Sequence, residues 1–129
     1  MSATQLWWFL LYGYIATVAI ELPILLVGLS KQTSFTDRIK LGFVLTAITY
    51  PIVVLVFPVL IWATMGHLAY LLVAETFAPL TEIVCFRMLV KRKLFKGWDR
   101  DAWVILVANL CSFFIGWIFL GEWLRKTIQ

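Results

Sequence analysis

Four long apolar stretches joined by short polar ones constrain this chain more than any other feature. They cover about 7–29, 41–63, 68–89 and 102–120. Glu21 is the only charge in the first, and Glu75 and Glu82 lie in the third; the second and fourth carry none. Each is near the length of about 20 residues that a helix rising about 1.5 Å per residue needs to cross roughly 30 Å of hydrocarbon. Lipid offers the backbone no hydrogen-bond partner, so a crossing segment is a helix or part of a closed barrel. Barrel strands alternate apolar and polar residues, and these runs do not. The expected fold is therefore all-α: an integral membrane four-helix bundle forming a single transmembrane domain over 1–129. Composition agrees, with 63% hydrophobic and 14% charged residues, where soluble domains have about 45–50% and about 25%. That balance excludes a soluble globular domain, a disordered tail and a disulfide scaffold.

The basic residues set an orientation. Lys31, Arg38 and Lys40 lie between the first two runs; Arg87 lies at the inner end of the third, and Lys91, Arg92, Lys93, Lys96 and Arg100 between the last two. These nine of the eleven Lys and Arg residues fall on one side. The positive-inside rule places both basic loops in the cytoplasm and both termini outside. No basic residue precedes the first run, and the run is too long for a cleaved signal peptide. Trp7, Trp8, Trp62, Trp103, Trp117 and Trp123 lie near the ends of the runs, as expected of an interfacial aromatic belt. Ser34 and Asp37 have capping-box spacing before the second helix. Asp99 and Asp101 suit the N-terminus of the fourth, where the helix dipole favours negative charge.

The chain reads as one helix hairpin written twice, over 1–63 and 64–129. Glu21 is followed by Arg38 and by Thr46, Ala47, Thr49 and Tyr50; Glu82 is followed by Arg100 and by Ala108, Asn109, Cys111 and Ser112. Both halves run in the same direction, a parallel pseudo-repeat about the membrane normal. Depth arithmetic brings these groups to one level. Glu21 and Glu82 each lie about 21 Å along their helices from the outer surface, and Asn109 about 9 Å from the inner one. The expected polar layer comprises Glu21, Glu75, Glu82, Asn109, Thr46, Thr49 and Ser112, with Glu75 nearest the outside. Pro23 and Pro51 cannot donate to the carbonyls of Ala19 and Ala47, which adds acceptors near the acids. Asn109, Ser112 and Gly116 form a stripe that should face inward. Intramembrane acids are costly unless they face a bundle interior, and they commonly serve function. The layer either fixes helix register by interhelical hydrogen bonds or holds a proton, a cation or a cofactor. Residue types alone do not say which metal, pigment or other cofactor, if any, would bind.

Other signals are sparse. His67 is the only histidine and has no Cys or second His near it, so zinc spacing is absent. Cys85 and Cys111 read as small buried residues outside any CxxC pattern. No phosphate loop, GxSxG or HExxH motif occurs, and no nucleophile shares a depth with a base. The chain is not expected to be an enzyme. The segment 90–96 (VKRKLFK) puts Lys91, Arg92, Lys93 and Lys96 beside the inner headgroups. Anionic lipid or a protein partner is expected there; the loop is too short for a nucleic-acid surface.

Through Glu21-Leu22-Pro23, the run TAITYP over 46–51, the Glu75–Glu82 helix, and Ala108 to Ser112 leading to Gly116, the chain resembles a family of small, uncharacterised four-span prokaryotic membrane proteins. That resemblance implies the four-span fold and no particular activity. Ala19-Ile20-Glu21, followed by Gly28 and Lys31, is also similar to the first-span acid region of small multidrug exporters. The additional span-three acids, a third span poor in Trp and Gly, and the one-sided charge depart from that pattern. The leading expectation is an accessory or assembly subunit of a larger membrane complex. The alternative is a small proton- or cation-coupled transporter, working as a homo-oligomer through its intramembrane glutamates.

Overall fold

The computed structural model describes residues 3–91 and 97–128, and among these it is helical with no strand. Arg92, Lys93 and Lys96 lie outside the described residues, as do the side chains of Trp123 and Arg125. Four helices are long and apolar enough to cross a membrane. They are α1 (Ala3–Gly28), α2 (Phe35–Met65), α3 (His67–Leu89) and α4 (Arg100–Ile128).

Each helix extends beyond its apolar run because local chemistry, not hydropathy, decides where hydrogen bonding starts and stops. Ser34 Oγ accepts the Asp37 N–H at 3.2 Å and starts α2 six residues before the apolar run at 41. Asp99 Oδ1 accepts the Ala102 N–H at 3.0 Å and caps α4. Both are the N-cap geometry in which a side-chain oxygen takes one of the orphan donors of the first turn. Between α2 and α3 the chain turns on one residue, Gly66, at φ 93° and ψ 172°. That conformation is essentially restricted to glycine.

Helix α2 carries two prolines, Pro51 and Pro58, and widens after each of them. Phe57 N–H donates to the Ile52 carbonyl and Ala63 N–H to the Pro58 carbonyl, both in the i→i−5 register. In that register Pro58 has no N–H to offer the Val53 carbonyl, and the Tyr70 hydroxyl donates to it instead at 3.2 Å. The released backbone acceptor is thus satisfied from the neighbouring helix, as the low-dielectric interior requires.

The helices form a square. α1 packs against α2 and α4, and α3 packs against the same two, so α1 and α3 stand on one diagonal and α2 and α4 on the other. The core lies toward the end that carries the two basic connections, here called the basic end. It comprises Leu25, Leu29, Leu41, Leu45, Ile83, Phe86, Ala102, Ile105 and Ala108. Toward the other, distal end packing fades. Among the described residues none before Val18, between Tyr50 and Val73, or after Asn109 is buried. Trp7, Tyr12, Val59, Leu60, Leu68, Phe114 and Trp117 are exposed there.

Toward the basic end, Gly28 and Gly42 each set a close helix approach. A Cβ at Gly28 would lie 2.7 and 2.8 Å from the two γ-carbons of Val104, and one at Gly42 would lie 2.6 Å from Leu22 Cδ1. The Leu22 tip can swing away, whereas Val104 is β-branched and stiff at χ1. Gly28→Ala is therefore expected to destabilise the bundle by about 1–3 kcal/mol, the usual cost of overpacking, and Gly42→Ala by clearly less. Denaturation of the purified variants by SDS titration, followed by tryptophan fluorescence, measures both; equal effects would contradict this ranking.

Candidate functional site

A layer of buried polar side chains crosses the square on the distal side of the apolar core. Glu21 on α1 and Glu82 on α3 are 2% and 3% exposed. Thr46 and Thr49 on α2 and Asn109 on α4 are also buried, and Ser112 is half-buried. Thr46 Oγ1 contacts Glu21 Oε2 at 3.1 Å, and Ser112 Oγ contacts Glu21 Oε1 at 2.7 Å. Asn109 Nδ2 donates to Glu82 Oε2 at 2.7 Å, and Thr49 Oγ1 contacts Glu82 Oε1 at 2.8 Å. Each carboxyl thereby bridges both helices of the opposite diagonal.

The four contacts are related by an approximate two-fold exchange of the hairpins. Glu21 takes Thr46 from its own hairpin and Ser112 from the other; Glu82 takes Asn109 from its own and Thr49 from the other. The partner positions differ by 109 − 46 = 63 and 112 − 49 = 63, and the glutamates by 82 − 21 = 61. In each pair the two partners are three residues apart, which places them on one helix face.

The hydroxyls can serve either protonation state of the acids. Thr46 Oγ1 also lies 3.1 Å from the Gly42 carbonyl, Thr49 Oγ1 3.2 Å from that of Leu45, and Ser112 Oγ 2.9 Å from that of Asn109. A hydroxyl has one hydrogen and two acceptor lone pairs. It can donate to a carboxylate, or it can turn to the carbonyl and accept from a carboxylic acid. Either arrangement uses the same heavy-atom positions. Asn109 differs: its two amide hydrogens go to Glu82 Oε2 and, at 2.9 Å, to the Ile105 carbonyl. Every fully buried side-chain N or O among the described residues has a hydrogen-bond partner.

Six of the seven expected layer residues thus meet, and Glu75 stands apart. It lies two turns distal of Glu82 on α3, half-buried, within Coulombic reach of Glu21 and Tyr70. Among the described residues its carboxyl has no hydrogen-bond partner. Pro79 also removes the N–H that would bond the Glu75 carbonyl. The carbonyls freed by Pro23 and Pro51 behave otherwise than expected. Ala19 and Ala47 are exposed, and no described side chain of the layer bonds their carbonyls. The α4 stripe also stops at Ser112, since Gly116 is exposed. No group of three or more His, Cys, Asp or Glu among the described residues is placed to hold a metal ion. Cys85 and Cys111 are free thiols, and His67 packs its ring against Trp62 and Tyr70 at the distal turn.

Sequence reasoning did not anticipate the clamp at the basic end. Helix α1 has no basic residue in its last turn, so its terminal carbonyls need donors from elsewhere. Arg38 supplies three bonds, to the carbonyls of Leu26 (2.6 Å), Ser30 (2.8 Å) and Thr33 (3.0 Å). Arg100 Nε reaches the Gly28 carbonyl at 2.8 Å, and Asp101 accepts from Ser30 N at 2.7 Å and Ser30 Oγ at 3.0 Å. Arg87 donates to the Gly97 carbonyl at 2.9 Å and lies 3.6 Å from Asp99. Three of the residues counted toward orientation are therefore also structural. A helix end without a basic last turn, followed by Arg38 and Asp101, was the available signal.

The chain matches no protein-family model, no curated protein and no solved structure.

The network predicts unequal effects of two changes at one position. Glu82→Ala leaves Asn109 and Thr49 without their acceptor and is expected to cost about 1–3 kcal/mol for the stranded donor alone. Glu82→Gln keeps an oxygen for Asn109 and offers an N–H to Thr49 Oγ1, which then donates to Leu45. It is expected to be near-neutral in SDS titration. A Gln variant as unstable as the Ala variant would contradict the hydroxyl-swivel scheme.

Proposed function

We propose that this chain is an accessory or assembly subunit of a larger membrane complex. In this reading the bundle presents its distal half to partner helices, with the basic connections on the cytoplasmic side and both termini outside, in a prokaryotic inner (plasma) or internal membrane. It has no catalytic role. The observation that carries the reading is Glu75. A half-exposed carboxyl without a hydrogen bond, inside a membrane span, is costly in contact with lipid. A polar or basic group from a neighbouring helix would complete it. The unburied distal residues of all four helices add an area for such a neighbour to cover. The Glu21 and Glu82 layer then locks the four helices in register so that this face is presented rigidly.

A second reading has its own observation. The three hydroxyls of the layer can accept a proton on the acids, or its loss, without moving a heavy atom, which is what a proton carrier requires. Here Glu21 and Glu82 would be the carriers, Glu75 the distal relay and Asn109 the fixed neutral partner. Four helices enclose little space, so this transporter would act as a homo-oligomer.

The untagged chain at natural abundance, extracted in mild detergent, is expected to migrate with a larger assembly whose members mass spectrometry identifies. Glu75→Leu should release it from that assembly while leaving the helicity of the isolated chain unchanged. A monomer or small homo-oligomer with no other protein bound would overturn the subunit reading. The transporter reading expects Glu21→Gln together with Glu82→Gln to abolish proton flux in vesicles while the protein stays folded; normal flux in that double variant removes it.

A further inference from the structure

Lys91 occupies an unusual place. It follows the last turn of α3 with φ 55°, the left-handed conformation, and is the only non-glycine residue among those described with a positive φ. Helices commonly end on such a residue, and it is usually glycine, because a Cβ there costs about 1–2 kcal/mol. The turn itself therefore favours glycine. A lysine kept in this conformation points to a use for its side chain, since local strain is a reason to look for function.

The side chain borders a cleft of about 630 Å³ between the start of α2 and the end of α3. Lys40 and Asp37 border it from α2, and Leu41, Val44, Leu89 and Val90 form its apolar wall. Lys40, Lys91 and Asp37 are exposed, so two positive charges and one negative meet at the mouth. Val44 and Leu89 are 41% and 54% exposed, and they continue the wall along the outer surface of α2 and α3. The cleft sits where the polar connections meet the first apolar turns, the depth of a lipid headgroup.

We propose that this cleft binds one anionic glycerophospholipid. Its phosphate lies between Lys40 and Lys91, a headgroup hydroxyl donates to the Asp37 carboxylate, and an acyl chain runs along Val44 and Leu89. The net charge of the site, +1 from these three residues, matches a singly negative headgroup with hydroxyls, such as a phosphatidylglycerol. A purely cationic patch would attract any anionic surface. The Asp37 carboxylate and the apolar wall make this a site for one lipid molecule. The proposal rests on the membrane reading of the four helices. It does not depend on which partner, if any, covers the distal half.

The test is lipid retention after extraction from vesicles of equal phosphatidylglycerol, phosphatidylethanolamine and phosphatidylcholine, read by native mass spectrometry. Both leaflets carry all three lipids, so the result does not depend on orientation. The full-length chain is expected to keep one phosphatidylglycerol in preference to the other two. Lys91→Gly relieves the backbone and removes the charge, so it should leave SDS stability equal or higher while lowering retention about fivefold, as does Lys40→Gln; this is about 1 kcal/mol for each lysine. Val44→Trp fills the slot and should lower retention with both lysines present. Lys31→Gln, exposed and outside the cleft, should change little. Three results would overturn the site: equal retention of phosphatidylcholine, preference for phosphatidylethanolamine, or a loss with Lys31→Gln as large as with Lys91→Gly.

Discussion

The bundle depends on one constraint: in hydrocarbon, a polar group is satisfied by another protein group or not at all. Apolar contacts hold helices together only weakly there, because lipid tails are as apolar as leucine. The directional interactions therefore decide how the helices meet. Two glutamates on one diagonal each take a donor from both helices of the other diagonal. That arrangement ties all four helices with four side-chain contacts and, among the described residues, leaves no fully buried side-chain N or O without a partner. A rotation of any one helix would strand a carboxyl, a hydroxyl or an amide.

The same rule acts at the two ends in different ways. At the basic end, arginines from the first turns of α2 and α4 supply the carbonyls of α1 with donors, and Asp101 holds Ser30. Cationic groups at a helix C-terminus also complement its dipole. In α2, Tyr70 repays the carbonyl that Pro58 cannot serve. At the distal end the rule is not met among the described residues: Glu75 has a carboxyl without a hydrogen bond there, and Pro79 denies its carbonyl the helical N–H. The structure is closed where its own connections can reach and open where they cannot. That asymmetry underlies the subunit reading more than the small size of the chain does.

Much of this was legible in the sequence because membrane helices advertise themselves by length. The four runs located the helices, and a rise of about 1.5 Å per residue brought Glu21, Glu82 and Asn109 to one level. Ser34 and Asp99 announced two helix starts. What the sequence could not supply was rotation about each helix axis. Thr46 and Thr49 face inward while Ala47 between them faces outward, so the carbonyl freed by Pro51 fell on the wrong side for the layer. The same ambiguity put Gly116 in a stripe it does not extend. The pairing of Glu82 with Thr49, across hairpins, needed the square arrangement, which a list of spans does not contain. Lys91 drew notice in the sequence only as one charge of a basic loop; its left-handed backbone and the cleft beside it are features of the fold.

The choice between a lock and a proton carrier turns on how tightly the layer is held. A lock is best built from donors and acceptors with one possible pattern, as between Asn109 and Glu82. A carrier needs groups that exchange roles, as the three hydroxyls can. The layer contains both, unequally shared: Glu82 is fixed on one oxygen by the amide, whereas both oxygens of Glu21 face hydroxyls. If a proton moves here, Glu21 is the acid whose surroundings adapt most easily, and Glu82 is the one that holds the helices while it does so. The two roles then divide between the diagonally opposed acids, and a subunit that relays protons within a larger complex would satisfy both readings. Glu75, distal to both and within Coulombic reach of Glu21, is where such a path would leave this chain for its neighbour.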